Sequence, residues 1–145
     1  MGYRVLHAAD AFWRPSNLMR VLNTDLAAQL DAETLGARFW RLAPGQASTW
    51  HRHSSTHELY VVVEGTGRLR MEDEVLTLAP LSAVLVEPDV LRQPFNDTEA
   101  DQLWLVVGAP QEPANTLEMS EDELRWRYPD GPKALPPELG GGELE

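Results

Sequence analysis

Between Gly36 and Gly108 the chain is written as short apolar segments separated by turn residues. That rhythm restricts its fold more than any other feature. Ala37–Leu42 runs into Pro44-Gly45, Thr49–His53 follows, and Glu58–Val63 runs into Glu64-Gly65-Thr66-Gly67. Arg68–Met71 and Val75–Leu78 flank Glu72-Asp73-Glu74, which reads as a hairpin turn. Ala83–Val86 ends at Pro88-Asp89 and Leu103–Val107 ends at Gly108. Helical periodicity is absent across this region, which argues against a helix bundle, and many short strands at this spacing predict an all-β sandwich or barrel. Glu58, Tyr60 and Val62 share one face of their strand, the expected interior, and Leu59, Val61 and Val63 share the other. Because both faces are largely apolar, the strand is expected to be covered on both sides, by the N-terminal arm or by a dimer partner.

The flanks read differently. Residues 1–34 have no clear period and are expected to form an extended arm with loose turns, an edge strand over Arg4–Ala8, and contacts through Phe12, Trp13 and Leu18. Residues 35–110 are the barrel, and residues 111–145 form an acidic tail. Within the tail, Ser120 followed three residues later by Glu123 is a capping box, which predicts a short helix near 121–128. Its aromatics, Trp126 and Tyr128, are expected to dock on the body, and Gly140-Gly141-Gly142 is expected to be flexible.

A chain of 145 residues is long enough for one core and no more. With 23 acidic and 12 basic residues its formal charge is −11, which disfavours nucleic acid and anionic membranes as partners. From Glu112 onward there are 9 acids and 3 bases, an excess of 6, so most of the imbalance lies in the tail and an anionic small molecule is not excluded. The absence of cysteine removes disulfides, thiolate catalysis and Cys-type zinc sites. With no signal-like start and no apolar stretch near the roughly 20 residues that span a bilayer, the expected location is cytoplasmic.

Chemistry concentrates at His51, His53 and Glu58. Residues two apart on a strand point the same way, and a hairpin brings Glu58 beside both imidazoles. Two neutral imidazoles and a carboxylate suit divalent Fe, Mn, Ni, Co or Zn and leave coordination positions open. His57 should face away from Glu58, as a surface residue or a support behind the ligands.

These residues sit in a longer pattern. Gly45, five residues, His51-Arg52-His53, four residues, Glu58, six residues and Gly65 resemble the first motif of the cupin superfamily with every spacing kept. The resemblance covers roughly Gly36–Gly108 and implies a small single-domain cupin, a double-stranded β-helix of jelly-roll type. It also implies that His51, His53 and Glu58 bind metal and that a second-motif histidine completes the set.

That histidine is missing here. The counterpart segment is Leu81–Asn96, and counting back from Asn96 puts Arg92 in its slot, whereas counting forward from Pro88 puts Gln93 there. Three readings of Arg92 follow. It holds an anionic substrate group beside a three-ligand metal; it pairs with Glu58 in a metal-free barrel; or it swings out to solvent. In the second reading, repulsion between Arg92 and a divalent ion costs several kcal/mol at an effective dielectric of about 20.

Arg92, Tyr60, Trp50, Gln46 and Phe95 are the expected substrate-binding residues, with Trp40 and Trp104 as further pocket walls and Asn96 in a turn. The functional expectation is a metal-assisted enzyme of isomerase, epimerase or dioxygenase type, acting as a homodimer on a small polar or anionic molecule. The competing expectation is a metal-free module that binds a carboxylate or sugar.

Overall fold

The computed structural model describes residues 2–113 and 115–145. Among the described residues nine strands form two antiparallel sheets, as the alternating segments predict. They are β1 (Trp13–Pro15), β2 (Leu22–Asp25), β3 (Gly36–Leu42), β4 (His57–Glu64), β5 (Gly67–Met71), β6 (Glu74–Leu78), β7 (Ala83–Val86), β8 (Arg92–Phe95) and β9 (Gln102–Ala109). The larger sheet has the order β1-β2-β3-β9-β4-β7 and the smaller one β6-β5-β8. A short helix α1 (Leu26–Gln29) follows β2, and α2 (Glu121–Arg127) lies in the tail.

The period-two pattern explains the burial. Tyr60 and Val62 point inward at 2% and 0% exposure and meet Leu42, Leu69, Phe95 and Trp104 in a common core. Trp104 is fully buried, and its indole N–H donates to Gln102 Oε1 at 2.9 Å, which removes the penalty of burying a donor. Gly65 turns β4 into β5 with φ +78°, and a Cβ there would lie 2.3 Å from the Asp101 carbonyl oxygen. Both facts demand glycine, which is why this position reads as part of a motif.

Several expectations need correction. Residues 2–34 are more than a loose arm: β1 and β2 form a hairpin on β3, so they extend the large sheet at its edge. Pro15 is tolerated because β1 is that edge. Phe12 is exposed and Arg4–Ala8 forms no strand; Arg4 instead donates to the carbonyls of Leu30 and Asp31. Thr49–His53 is an irregular segment with a single bridge, His51 to Arg92. Conversely, Arg92–Phe95 is a strand whose four residues are all buried, although Arg, Gln and Pro carry no apolar alternation. Gly140, Gly141 and Gly142 adopt left-handed backbone, and the Leu135 N–H donates to the Gly142 carbonyl, so the run is an ordered turn.

The tail docks on the body. The Ser120 hydroxyl accepts from the Glu123 N–H at 3.1 Å, the cap that the spacing predicts. Arg52 donates from Nε to the Trp126 carbonyl and lies over the Trp126 ring at 4.7 Å. The arm does not cover β4. Leu59 on its outer face remains 39% exposed and the neighbouring Leu85 65%.

Candidate metal centre

His51, His53 and Glu58 converge at one end of the barrel. Glu58 projects inward from β4, and the two histidines come from the irregular segment between β3 and β4. His51 Nε2 lies 3.1 Å from His53 Nε2, and Glu58 Oε1 lies 3.6 Å and 3.2 Å from these two nitrogens. The Tyr60 hydroxyl donates to the same Glu58 oxygen at 2.8 Å.

The outer ring nitrogens decide what the inner ones present. His53 Nδ1 is 2.7 Å from Glu112 Oε2, an acceptor, and 3.2 Å from Arg127 Nη1, a donor; the shorter contact assigns the proton to Nδ1. His51 Nδ1 is 3.0 Å from the Thr49 carbonyl oxygen, an acceptor, and 3.0 Å from the Thr49 hydroxyl, which can donate or accept. When both Nδ1 atoms donate, both Nε2 lone pairs face Glu58 Oε1 and each other. Three acceptors this close need a positive charge among them, either a shared proton or a metal ion. The donor set therefore fits a divalent ion of the first transition row, with nitrogen and oxygen ligands.

Burial lowers the His51 pKa, against the raising effect of Glu58, which favours a neutral ligand. Burial would raise Glu58, yet hydrogen bonds from the two imidazoles, and their charge when protonated, hold its carboxyl well below the usual range, which is the shared-proton case of the same cluster. Burial, then the Glu58 charge, raises Tyr60 well above an ordinary phenol, so it stays a donor. Glu112 is held at about 2: burial opposes ionisation, but the Ser55 N–H, His53 and Arg127 outweigh it.

The sequence-derived residues are placed as follows. Arg92 is fully buried, which removes the solvent reading. Its terminal nitrogens donate to the carbonyls of Glu87 (2.9 Å) and Pro88 (3.3 Å). Its Nε lies 3.7 Å from Glu58 Oε1 and has no hydrogen-bond partner. Arg92, and not Gln93, thus stands beside the ligands, because Gln93 donates to the carbonyls of Ser48 and Ala134. Arg92 backs Glu58 and does not line the cavity.

That cavity, about 700 Å³, opens onto His51, His53 and Glu58. Tyr60, Trp40 and Trp104 line it; Trp50, Gln46 and Phe95 do not. Trp50 is buried beneath Arg70 at 3.8 Å and Phe95 beneath Arg68 at 5.3 Å, both on the small sheet. Gln46 accepts from the Ala43 N–H within its own turn. Asn96 holds a turn through the Leu42 and Ala100 carbonyls, and His57 is exposed on the outer face.

The sequence reading did not single out Glu112, Arg127 or Arg14 as site residues. Arg127, on α2, is 4% exposed and reaches Glu112 Oε2 at 3.3 Å. Arg14 lines the cavity from β1. None belongs to a motif; each arrives from a segment distant in sequence.

Residues 38–108 match the family described as Cupin domain. This region is a cupin domain. No curated protein sequence matches the chain. Among solved structures, a sugar phosphate isomerase from the cupin superfamily, from Silicibacter pomeroyi, superposes with a TM-score of 0.66 at 20% identity, over 74% of this chain and 76% of that one. A cupin protein from Bacteroides fragilis gives 0.64 at 18% identity, over 85% and 94%. A predicted oxalate decarboxylase from Thermotoga maritima gives 0.65 at 16% identity, over 74% and 100%. At these identities the likeness is one of fold, a double-stranded β-helix. No helix among the described residues is long and apolar enough to cross a membrane.

The depressed carboxyls of this cupin set its acid sensitivity. Glu58 and Glu112 have folded pKa values below the ordinary 4.5. Their stabilisation is complete above that value and is lost as pH falls toward about 2 for Glu112. Glu112→Gln should be less stable than the wild type at pH 7, with the gap narrowing toward pH 2, as read by urea midpoints. A gap independent of pH would contradict this assignment.

Proposed function

We propose that this cupin is a divalent-metal-assisted enzyme of isomerase, epimerase or dioxygenase type acting on a small anionic molecule. One observation carries the reading. Two imidazole Nε2 atoms and one carboxylate oxygen meet within 3.6 Å at the head of a cavity. His51, His53 and Glu58 would hold Fe, Mn, Ni, Co or Zn, and the ion would serve as a Lewis acid or an oxygen-activating centre. Tyr60 donates to Glu58 and keeps that carboxylate oriented.

Charge accounting around the cavity supports an anionic substrate. Asp25 pairs with Arg38 at 2.8 Å, Glu112 with Arg127 at 3.3 Å, and Glu58 with the imidazoles and Arg92. Among the described residues Arg14 has no carboxylate partner; it donates to Asn17 Oδ1 and lines the same cavity. With a divalent ion added, the cavity carries excess positive charge that a carboxylate or phosphate offsets. Arg14 therefore takes the anchoring role that the sequence suggested for Arg92. Sugar phosphate isomerase and oxalate decarboxylase, the names carried by two of the similar structures, both describe chemistry on anions.

A second reading has its own observation. The Arg92 guanidinium, 3.7 Å from Glu58 Oε1, already supplies one fixed positive charge, and it opposes a metal ion. In that reading the barrel binds a carboxylate or sugar without metal or turnover.

Elemental analysis of untagged protein, purified without added metal or chelator, separates the two. The metal reading expects about one equivalent of a divalent first-row metal. Less than about a tenth of an equivalent, unchanged after metal addition, leaves the binding module.

We also infer a homodimer through the outer face of the large sheet. Leu59 pairs in register with Leu85 and Val107, and Val61 with Leu105, which makes a contiguous apolar patch. Light scattering should give twice the 16.2 kDa chain mass, and Leu85→Asp should give the monomer. A monomeric wild type would refute the dimer.

A further inference from the structure

The cavity, the outer apolar face and the Glu112 cluster are the three places where this chain carries chemistry beyond its ligand motif. The Glu112 cluster is the most fully built. Glu112 lies beyond the 38–108 cupin match, yet both of its carboxylate oxygens are committed. Oε1 accepts from the backbone N–H groups of Ser54 and Ser55 and from the Ser55 hydroxyl. Oε2 accepts from His53 Nδ1 at 2.7 Å and from Arg127 at 3.3 Å. Arg127 also donates to the Arg52 carbonyl, and the Arg52 N–H donates to the Arg127 carbonyl. A reciprocal clamp thus joins α2 to the segment that carries both histidines.

We propose that Glu112 is a positioning residue for the metal centre: it keeps the His53 proton on Nδ1, so that Nε2 stays free for an ion, and the α2 clamp holds it there. The consequence for metal binding rests on the metal reading given above; the tautomer does not.

The chemistry follows from donors and acceptors. Oε1 faces three donors, so in Glu112→Gln the amide oxygen belongs on that side. The amide NH₂ then faces His53 Nδ1 and makes that nitrogen an acceptor. The ring proton moves to Nε2, pointing at His51 and Glu58, where it blocks coordination. Carboxylates that fix a ligand histidine this way are worth about 10- to 100-fold in metal affinity.

The experiment is ¹⁵N NMR of the imidazoles in the metal-free protein, paired with Co²⁺ titration followed by its visible absorption. The wild type should show His53 protonated at Nδ1. Glu112→Gln should show it protonated at Nε2 and bind Co²⁺ about 10- to 100-fold more weakly. Thr77→Ala, on β6 where the hydroxyl meets only Arg68, should keep the wild-type tautomer and affinity. A wild-type His53 protonated at Nε2 overturns the proposal even if Glu112→Gln does not fold. An unchanged tautomer with Co²⁺ affinity within about twofold of wild type in Glu112→Gln overturns it as well. If the wild type binds no Co²⁺, the metal reading fails, and the tautomer comparison still decides the role of Glu112.

Discussion

A buried carboxylate has to have its charge met, and the interior of this barrel is organised around Glu58. Four side chains converge on one of its oxygens: His51, His53, Tyr60 and Arg92. Each is supplied by a different requirement of the fold. Tyr60 is two residues along the same strand and so on the same face. The histidines enter from the segment bridged to β8, and Arg92 is the residue that His51 bridges to. Arg92 stays in place because its other nitrogens hold the turn at Glu87 and Pro88. The result is a polar cluster at one end of the barrel, open on the cavity side.

Arg92 explains how such a cluster departs from a four-ligand cupin site. A guanidinium satisfies Glu58 from behind while leaving the cavity side open. It also adds a charge that competes with an ion. On the metal reading, affinity would be a balance between three inward-facing ligand atoms and one fixed cation, and an anion anchored at Arg14 would shift it toward the ion by linkage.

The barrel strands and the grouping of His51, His53 and Glu58 were legible because both obey local rules. Alternation over Glu58–Val63 places the carboxylate inward, and His-x-His spacing is a strand periodicity even on a segment that is barely a strand. Gly65 was legible because a backbone oxygen forbids any side chain there. The strand Arg92–Phe95 was invisible to hydropathy, since its polar members are satisfied by distant carbonyls such as those of Ser48 and Ala134. Burial of polar residues by long-range partners leaves no local signal. The same holds for Glu112 and Arg127. An acidic tail and a helix-terminal arginine read as surface charge, yet together they form one ion pair against His53. The hairpin β1–β2 was obscured by Pro15, which a sheet edge tolerates and a central strand does not.

The central claim is that the inward lone pairs of His51, His53 and Glu58 form a cation site. Its most direct test is anomalous diffraction, at the absorption edge of the added ion, from crystals grown with Co²⁺ or Zn²⁺. The account predicts one strong peak within about 2.0–2.2 Å of His51 Nε2, His53 Nε2 and a Glu58 oxygen. A map with no peak among these atoms, or with Arg92 alone compensating Glu58 at saturating metal, would contradict it.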